Sequence, residues 1–215
     1  YEELQGMITS LEKEGAWPTG ELTALFTGVN RQDKVLEAIA RPAEKTREWK
    51  NYRPNFVNDE RIRKGVDFWN RQETVLSAAS AQFGVPPEII VAILGVETKY
   101  GGNKGSFRVI DTLSSLAFDY PPRAAFFRKE LRTFLVLARE QNMDPMETYG
   151  SYAGAMGFPQ FMPSSQRRYA VDFRSDPPFQ GASIIFGASV LARTAVSLIS
   201  AAARLLGRAD SELST

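Results

Sequence analysis

The chain contains neither cysteine nor histidine. Those two absences remove thiol nucleophiles, Ser-His-Asp triads and the usual zinc sites, leaving carboxylate, hydroxyl, amide and backbone chemistry. The lack of cysteine does not assign a compartment, because it permits an oxidising space without requiring one. Charge of one sign is also missing. The 26 basic residues stand against 25 acidic ones and no Lys/Arg block stands out, so nucleic acid has no electrostatic footprint and a polar, roughly neutral partner fits better. Long apolar runs are absent too. The richest stretch, 179–206, is interrupted by Arg193 and followed closely by Arg208. Neither apolar part reaches the roughly 20 residues a membrane span needs, and the segment reads as a buried or partner-facing helix. The first residues, Tyr1-Glu2-Glu3, include no initiator Met or apolar leader, as expected of a mature or trimmed product.

What is present reads as a mainly α protein. At 215 residues and 43% hydrophobic content, the chain can bury one large core or two small ones. Residues 1–14 read as a short helix stopped by Gly15, and 20–40 as one or two more before Arg41-Pro42. Asn58 or Asp59 caps a long helix to about Phe83, with Ile62, Val66, Trp69, Val75 and Leu76 among its buried positions and Gly84 as its stop. Val109-Ile110 make 107–113 a candidate extended element, with a brief helical turn over 113–118. Pro121-Pro122 then opens a helix over 123–141.

One carboxylate is oddly placed. Ile90, Ile93, Leu94 and Glu97 are spaced i, i+3, i+4, i+7, so in a helix opened by Pro86-Pro87 the acid shares the core-facing side. Gly101 and Gly102 end that helix soon afterwards. Burial and the carbonyl end of the helix both disfavour the charged form, as a general acid requires. A small change of helix phase would instead turn Glu97 to water, the ordinary place for a helical Glu.

A second concentration of signal runs from Gly150 to Ser165. Glycines at 150, 154 and 157 permit close backbone approach, Ser151, Tyr152 and Gln160 supply neutral hydrogen-bonding groups, and Phe158 and Phe161 add flat apolar faces. No Lys or Arg lies among residues 150–165, so this mixture suits a sugar better than a phosphate. A tight helix–helix connection would use the same small residues for packing alone.

The motifs Gly95-Val96-Glu97-Thr98-Lys99-Tyr100-Gly101, Leu116-Ala117-Phe118-Asp119-Tyr120-Pro121 and Ser151-Tyr152-Ala153-Gly154-Ala155-Met156-Gly157 resemble, in that order, those of the membrane-bound lytic transglycosylase B family. Pro159-Gln160-Phe161-Met162-Pro163-Ser164-Ser165, Trp49-Lys50-Asn51-Tyr52-Arg53, Gly65-Val66-Asp67-Phe68-Trp69 and Tyr169-Ala170-Val171-Asp172-Phe173 extend the likeness over roughly 45–173. The resemblance implies a goose-lysozyme-like helical core at 58–173, flanked by an N-terminal helical segment at 1–57 and a small extended element. It also implies cleavage of the β-1,4 bond between N-acetylmuramic acid and N-acetylglucosamine in peptidoglycan, leaving a 1,6-anhydromuramyl product. Glu97 would be the single acid/base, because the muramyl C6 hydroxyl is the nucleophile. By the same resemblance Ser151 orients the N-acetyl group or the acid, Gln160 contacts sugar, and Tyr52, Met156, Phe161 and Arg123 line the groove. An ordinary glycosidase needs a second carboxylate, for which Asp111 and Asp119 are the candidates.

The partners implied are peptidoglycan glycan strands and other cell-wall enzymes, with no nucleic acid; the chain is expected to be a monomer. The place implied is the bacterial periplasm, and a lipid anchor ahead of Tyr1 in a precursor stays open. The family's calcium loop would begin at Asp172, but positions three, six and twelve are Arg174, Pro177 and Ser183. Only Asp172 and Asp176 remain as carboxylates, so calcium is not expected and no cofactor is required. Beyond Phe173 the 174–215 tail reads as helical and foreign to the family. A glycan-binding module or a weakly active muramidase is therefore the alternative.

Overall fold

The computed structural model describes residues 2–41, 49–172 and 185–186, with no side-chain description for 171–172 and 185–186. Among these residues two compact units form, each discontinuous in sequence. The first comprises 2–41, 49–52 and 103–168, the second 53–102 with 169–172 and 185–186.

In the first unit, helices α1 (Glu2–Lys13), α2 (Glu21–Phe26), α3 (Asp33–Ala40) and α4 (Trp49–Tyr52) precede α7 (Val109–Asp119), α8 (Ala124–Glu140) and α9 (Pro163–Tyr169). The core is α7 against α8. Val109, Ile110, Leu113 and Leu116 meet Phe127, Leu131, Phe134 and Leu135, all fully buried. Each such side chain stabilises the fold by roughly 1.5–3 kcal/mol through transfer out of water. Ile8, Leu11, Trp17, Leu22 and Val35 bring the N-terminal helices onto the same core, and the Trp17 indole N–H donates to the Leu135 carbonyl at 3.1 Å. Strand β1 (Phe107–Arg108) pairs antiparallel with β2 (Tyr149–Gly150).

The expected extended element over 107–113 is thus confined to Phe107–Arg108, and Val109-Ile110 begin α7 instead. Every residue from Val109 to Ala117 is buried, so packing overrides the β-branched preference for strand. Before α8, Pro121–Arg123 form a 3-10 turn and the α-helix itself starts at Ala124.

The second unit holds α5 (Asp59–Phe83) and α6 (Pro87–Thr98), which meet at a bend of 114°. The long helix starts and stops where its sequence indicates. Asn58 caps it by accepting from the Arg61 N–H at 3.0 Å, and Gly84 closes it with its N–H donating to the Ser80 carbonyl at 2.8 Å. Its buried face, however, runs through Gly65, Phe68, Val75, Leu76 and Ala79, whereas Ile62 and Val66 are 56% and 54% exposed. The phase expected for the first half of α5 is therefore wrong, because close approach at Gly65 selects that side for burial. Among the described residues no single helix is long and apolar enough to cross a membrane. Of the expected 174–215 tail, only Ile185–Phe186 (β4) is described. It is extended and pairs antiparallel with β3 (Val171–Asp172), as suits a β-branched and an aromatic residue. The rest of the tail and Asp176 lie outside the described residues.

Asp111 fastens the N-terminal helices to α7. Its Oδ1 accepts from Asn30 N at 3.0 Å and Arg108 Nη2 at 3.0 Å, and its Oδ2 from Gln32 Nε2 at 3.1 Å and Arg108 Nε at 2.8 Å. At 2% exposure it is a buried ion pair whose acceptor sites are all used. Removing one partner of such a pair leaves a stranded charge, so Asp111→Ala is expected to cost roughly 3–5 kcal/mol, measured as a fall in the urea midpoint at unchanged slope.

Candidate functional site

Glu97 is the penultimate residue of α6, one turn after the buried Ile93 and Leu94, and is itself half-buried. Burial pushes its carboxyl above the ordinary value of 4.5. The helix end does not rely on glycine. Lys99 and Tyr100 both take left-handed conformations, with φ 51° and 60°, ahead of Gly101. Such positions cost non-glycine residues of order 1–3 kcal/mol each, so something must over-determine them. The Tyr100 N–H donates to the Leu94 carbonyl at 3.1 Å, and Thr98 Oγ1 accepts from the Gly101 N–H at 3.0 Å while donating to the Leu94 carbonyl at 3.2 Å.

The Tyr100 ring supplies the rest. It lies 5.8 Å from the Phe68 ring and presses on α5 and α6 where each carries a glycine. A Cβ on Gly65 or on Gly95 would come within 2.7 Å of the Tyr100 Oη. Arg61 on α5 donates through Nη1 to the Gly95 carbonyl, tying the two helices beside the same point. Sequence reading singled out Gly65, Gly95 and Tyr100 only as motif letters; what joins them is a contact across about 35 residues of chain that no local periodicity reports.

The 150–162 segment belongs to the first unit and is built by its own hydrogen bonds. The Ser151 hydroxyl oxygen accepts from Ala153 N at 3.3 Å and Ala155 N at 3.1 Å, and the Ser151 N–H donates to the Ala155 carbonyl at 2.9 Å. Ser151 thus shapes the loop while keeping its O–H as a donor. Met156 and Phe161 exchange backbone bonds in both directions, at 2.8 and 3.1 Å, closing a turn over Gly157–Gln160. Inside that turn Gln160, at φ 50°, donates from Nε2 to the Gly157 carbonyl at 2.9 Å and the Lys104 carbonyl at 3.2 Å, which leaves Oε1 as an acceptor. Gly105, at φ 92°, lets the preceding loop touch this one: a Cβ there would lie 2.0 Å from the Gly150 carbonyl group. Lys104 Nζ rests 5.3 Å from the centre of the Phe158 ring.

The other residues expected at the site fall in different surroundings. Met156 and Phe161 are 3% and 8% exposed, and Met156 is part of the first unit's core, so what they contribute to the loop is chiefly backbone. Tyr52 ends α4 with 43% exposure, its ring 6.4 Å from that of Trp49, which is 50% exposed. Arg123 is exposed and stacks its guanidinium 4.4 Å over Phe126 and 5.4 Å over Phe127. The Asp172 side chain lies outside the described residues. Ser151, Met156, Gln160, Phe161, Tyr52 and Arg123 all belong to the first unit and Glu97 to the second.

Residues 2–179 match a family model described as a transglycosylase SLT domain, so the likeness extends past 45–173 at both ends. The membrane-bound lytic murein transglycosylase B of Escherichia coli strain K12 is 40% identical over 181 residues, covering 80% of this chain and 50% of that protein. The crystal structure of the soluble lytic transglycosylase SltB1 from Pseudomonas aeruginosa is similar with a TM-score of 0.78 and 56% identity, covering 81% of this chain and 59% of its own. SltB3 of the same organism, solved in complex with NAG-NAM-pentapeptide, aligns with a TM-score of 0.75 and 30% identity over 90% of this chain and 51% of its own. This chain spans about half the length of the curated relative it matches.

The Tyr100 wedge predicts a change of sign. Gly95→Ala overpacks the contact and is expected to cost about 1–3 kcal/mol in the parent chain. In a Tyr100→Ala background the ring atoms that the new Cβ would strike are gone, and the same substitution should stabilise by up to about 1 kcal/mol, because Ala outranks Gly in a helix. Chemical denaturation of the four proteins of this double-mutant cycle measures both effects.

Proposed function

Because the chain belongs to the transglycosylase SLT domain family, whose matched structures are lysozyme-like and mainly helical, we propose that it is a peptidoglycan lytic transglycosylase with Glu97 as its acid/base. The observation that carries this reading is the half-buried Glu97 carboxyl, whose proton affinity is raised by burial. In its protonated form the Glu97 carboxyl donates to the glycosidic oxygen between N-acetylmuramic acid and N-acetylglucosamine. The resulting carboxylate then takes the proton of the muramyl C6 hydroxyl as that oxygen attacks the anomeric carbon. The glycosidic bond breaks, a C6–O–C1 bond forms, and a 1,6-anhydro end results without water.

The state of the candidate second carboxylates supports a one-carboxylate mechanism. All four acceptor positions of Asp111 are engaged by Asn30, Gln32 and Arg108, so it has none for activating water or attacking sugar. Asp119, at the end of α7, faces the Arg31 guanidinium at 3.9 Å. Sugar contacts are assigned to the Ser151 hydroxyl proton and the Gln160 Oε1, with Tyr52 and Arg123 offering exposed flat faces. No cofactor is required by this chemistry, and the proposed setting is the bacterial cell envelope.

Mass spectrometry of digested sacculi tests the assignment. The expected products carry 1,6-anhydromuramyl ends, and Glu97→Gln should lower their release by at least about a hundredfold, the scale of a lost proton-transfer group. Reducing ends in their place would make the protein a muramidase, and retention of sacculi without any product would make it a glycan-binding module.

The same desolvation predicts how stability varies with pH. A raised folded-state pKa means that the native state holds its proton where the unfolded chain has lost it. The contribution is complete below about pH 4.5 and fades as pH rises through the folded value. Glu97→Gln removes that penalty. The variant should melt at a higher temperature than the parent at pH 7, with the gap closing toward pH 4; a gap independent of pH would contradict the assignment.

A further inference from the structure

Glu130 has no part in the chemistry above, yet it is a carboxylate with 2% exposure in the middle of α8. Its two oxygens are aimed at one residue. Oε2 accepts from the Ser164 backbone N–H at 2.9 Å and Oε1 from the Ser164 hydroxyl at 2.6 Å. Charged acceptors bonded in this paired way are short, directional and about twice as strong as neutral contacts. Ser164 is the second residue of α9, just behind the turn closed by Met156 and Phe161, and that turn holds Gln160 at φ 50°. Further along α9, Arg167 pairs with Glu140 at 2.6 and 2.9 Å, but on the exposed surface, where such a contact contributes little. Glu130 is therefore the strong fixed point for the C-terminal side of the loop. The Gly157, Phe161 and Lys104 contacts hold its shape from within and from the N-terminal side.

We propose that Glu130 is a positioning residue for glycan recognition: through its paired hydrogen bonds to Ser164 it holds the 156–161 turn so that Gln160 presents Oε1 to the sugar. The inference rests on the reading of 150–162 as the sugar-contacting loop. It also gives a physical role to Pro163-Ser164-Ser165, a motif that the acid/base chemistry leaves unused.

The test compares Glu130→Ala, Glu130→Gln, Ser164→Ala, Gln160→Ala and the Glu130→Ala/Gln160→Ala double variant. Readouts are KM and kcat for anhydromuropeptide release from soluble glycan strands, the Kd for the tetramer of N-acetylglucosamine by calorimetry, and the melting temperature. Glu130→Ala should raise KM and Kd about tenfold, equivalent to ~1.4 kcal/mol, while kcat stays within about twofold because the Glu97 chemistry is untouched. Glu130→Gln should recover most of that loss, since an amide can accept the Ser164 N–H and donate to its hydroxyl. The double variant should bind no worse than Gln160→Ala alone, because both changes disable the same contact.

Additive losses in the double variant, or a fall in kcat at constant KM, would overturn the proposal and leave Glu130 a stability residue. If Glu130→Ala does not fold, Glu130→Gln and Ser164→Ala decide: Ser164→Ala should weaken tetramer binding measurably while Glu130→Gln stays near the parent, and parental affinity for Ser164→Ala would overturn the idea. A parent chain that releases no product would refute the transglycosylase assignment alone. The tetramer Kd series would still decide the role of Glu130.

Discussion

The contact on which the rest of the catalytic reading depends is the seat of the Tyr100 ring against Gly65 and Gly95. Two helices of the second unit approach closely only because neither carries a side chain at that point, and the ring fills the space a Cβ would need. The left-handed backbone at Lys99 and Tyr100 follows from this. A ring leaving the chain just after α6 reaches back onto α5 and α6 only if the helix ends abruptly, and the strain of two non-glycine left-handed residues is offset by aromatic packing on Phe68 and by the cap bonds to Leu94. The carboxylate two positions before Lys99 is held at a helix end that cannot fray without unseating the ring. Preorganisation of this kind makes a proton donor useful, since a group that must be gathered into place on binding loses part of its advantage.

Among the described residues Asp111, Glu130 and Glu97 are withdrawn from water to different degrees, and their surroundings separate their roles. Asp111 receives four hydrogen bonds, two of them from a guanidinium, which fully compensates its burial and makes it a fastening for the N-terminal helices. Glu130 receives two, both from Ser164, enough to fix a helix start and a loop end. Glu97 is partly desolvated with burial as the cause of its shift. Hydrogen bonds that fill a carboxylate's acceptor positions fix it in one task, whereas desolvation raises the proton affinity of Glu97. By that criterion Glu97 is the one of the three that suits the proposed acid/base role.

Local features of the fold were legible in the sequence where a local rule determines them. Asn58 and Gly84 bounded α5, Pro86-Pro87 opened α6, and the spacing from Ile90 to Glu97 put the acid beside the buried face. The loop motif at 150–165 announced itself through its mixture of glycine, amide, hydroxyl and aromatic groups. What escaped was decided across the fold. Ile62 and Val66 fit a buried stripe as well as Gly65 and Phe68 do, and the pattern cannot choose between them without Tyr100, far along the chain. Val109-Ile110 read as extended from an intrinsic preference worth well under 1 kcal/mol per residue, which their neighbours in space, the apolar face of α8, outweigh. Glu130 looked like one more polar position on an amphipathic helix, and its burial becomes visible only with Ser164 in place. The chemistry implied by the resemblance rested on Glu97, Ser151 and Gln160, whose surroundings differ: a half-buried carboxyl, a hydroxyl that accepts two loop N–H groups, and an amide whose Nε2 is engaged by two carbonyls.

A single acid/base imposes its own requirement. A glycosidase with two carboxylates can hold one protonated and the other charged, setting each by its own surroundings. In the proposed reaction the same group must first release a proton and then recover one from the C6 hydroxyl, so neither state can be strongly favoured over the other. A cation beside Glu97 would hold it charged and cost it the first step, while complete burial would hold it neutral and cost it the second. Half-burial at the end of a helix, where the carbonyl ends oppose negative charge and solvent still reaches the carboxyl, is the intermediate condition that serves both steps.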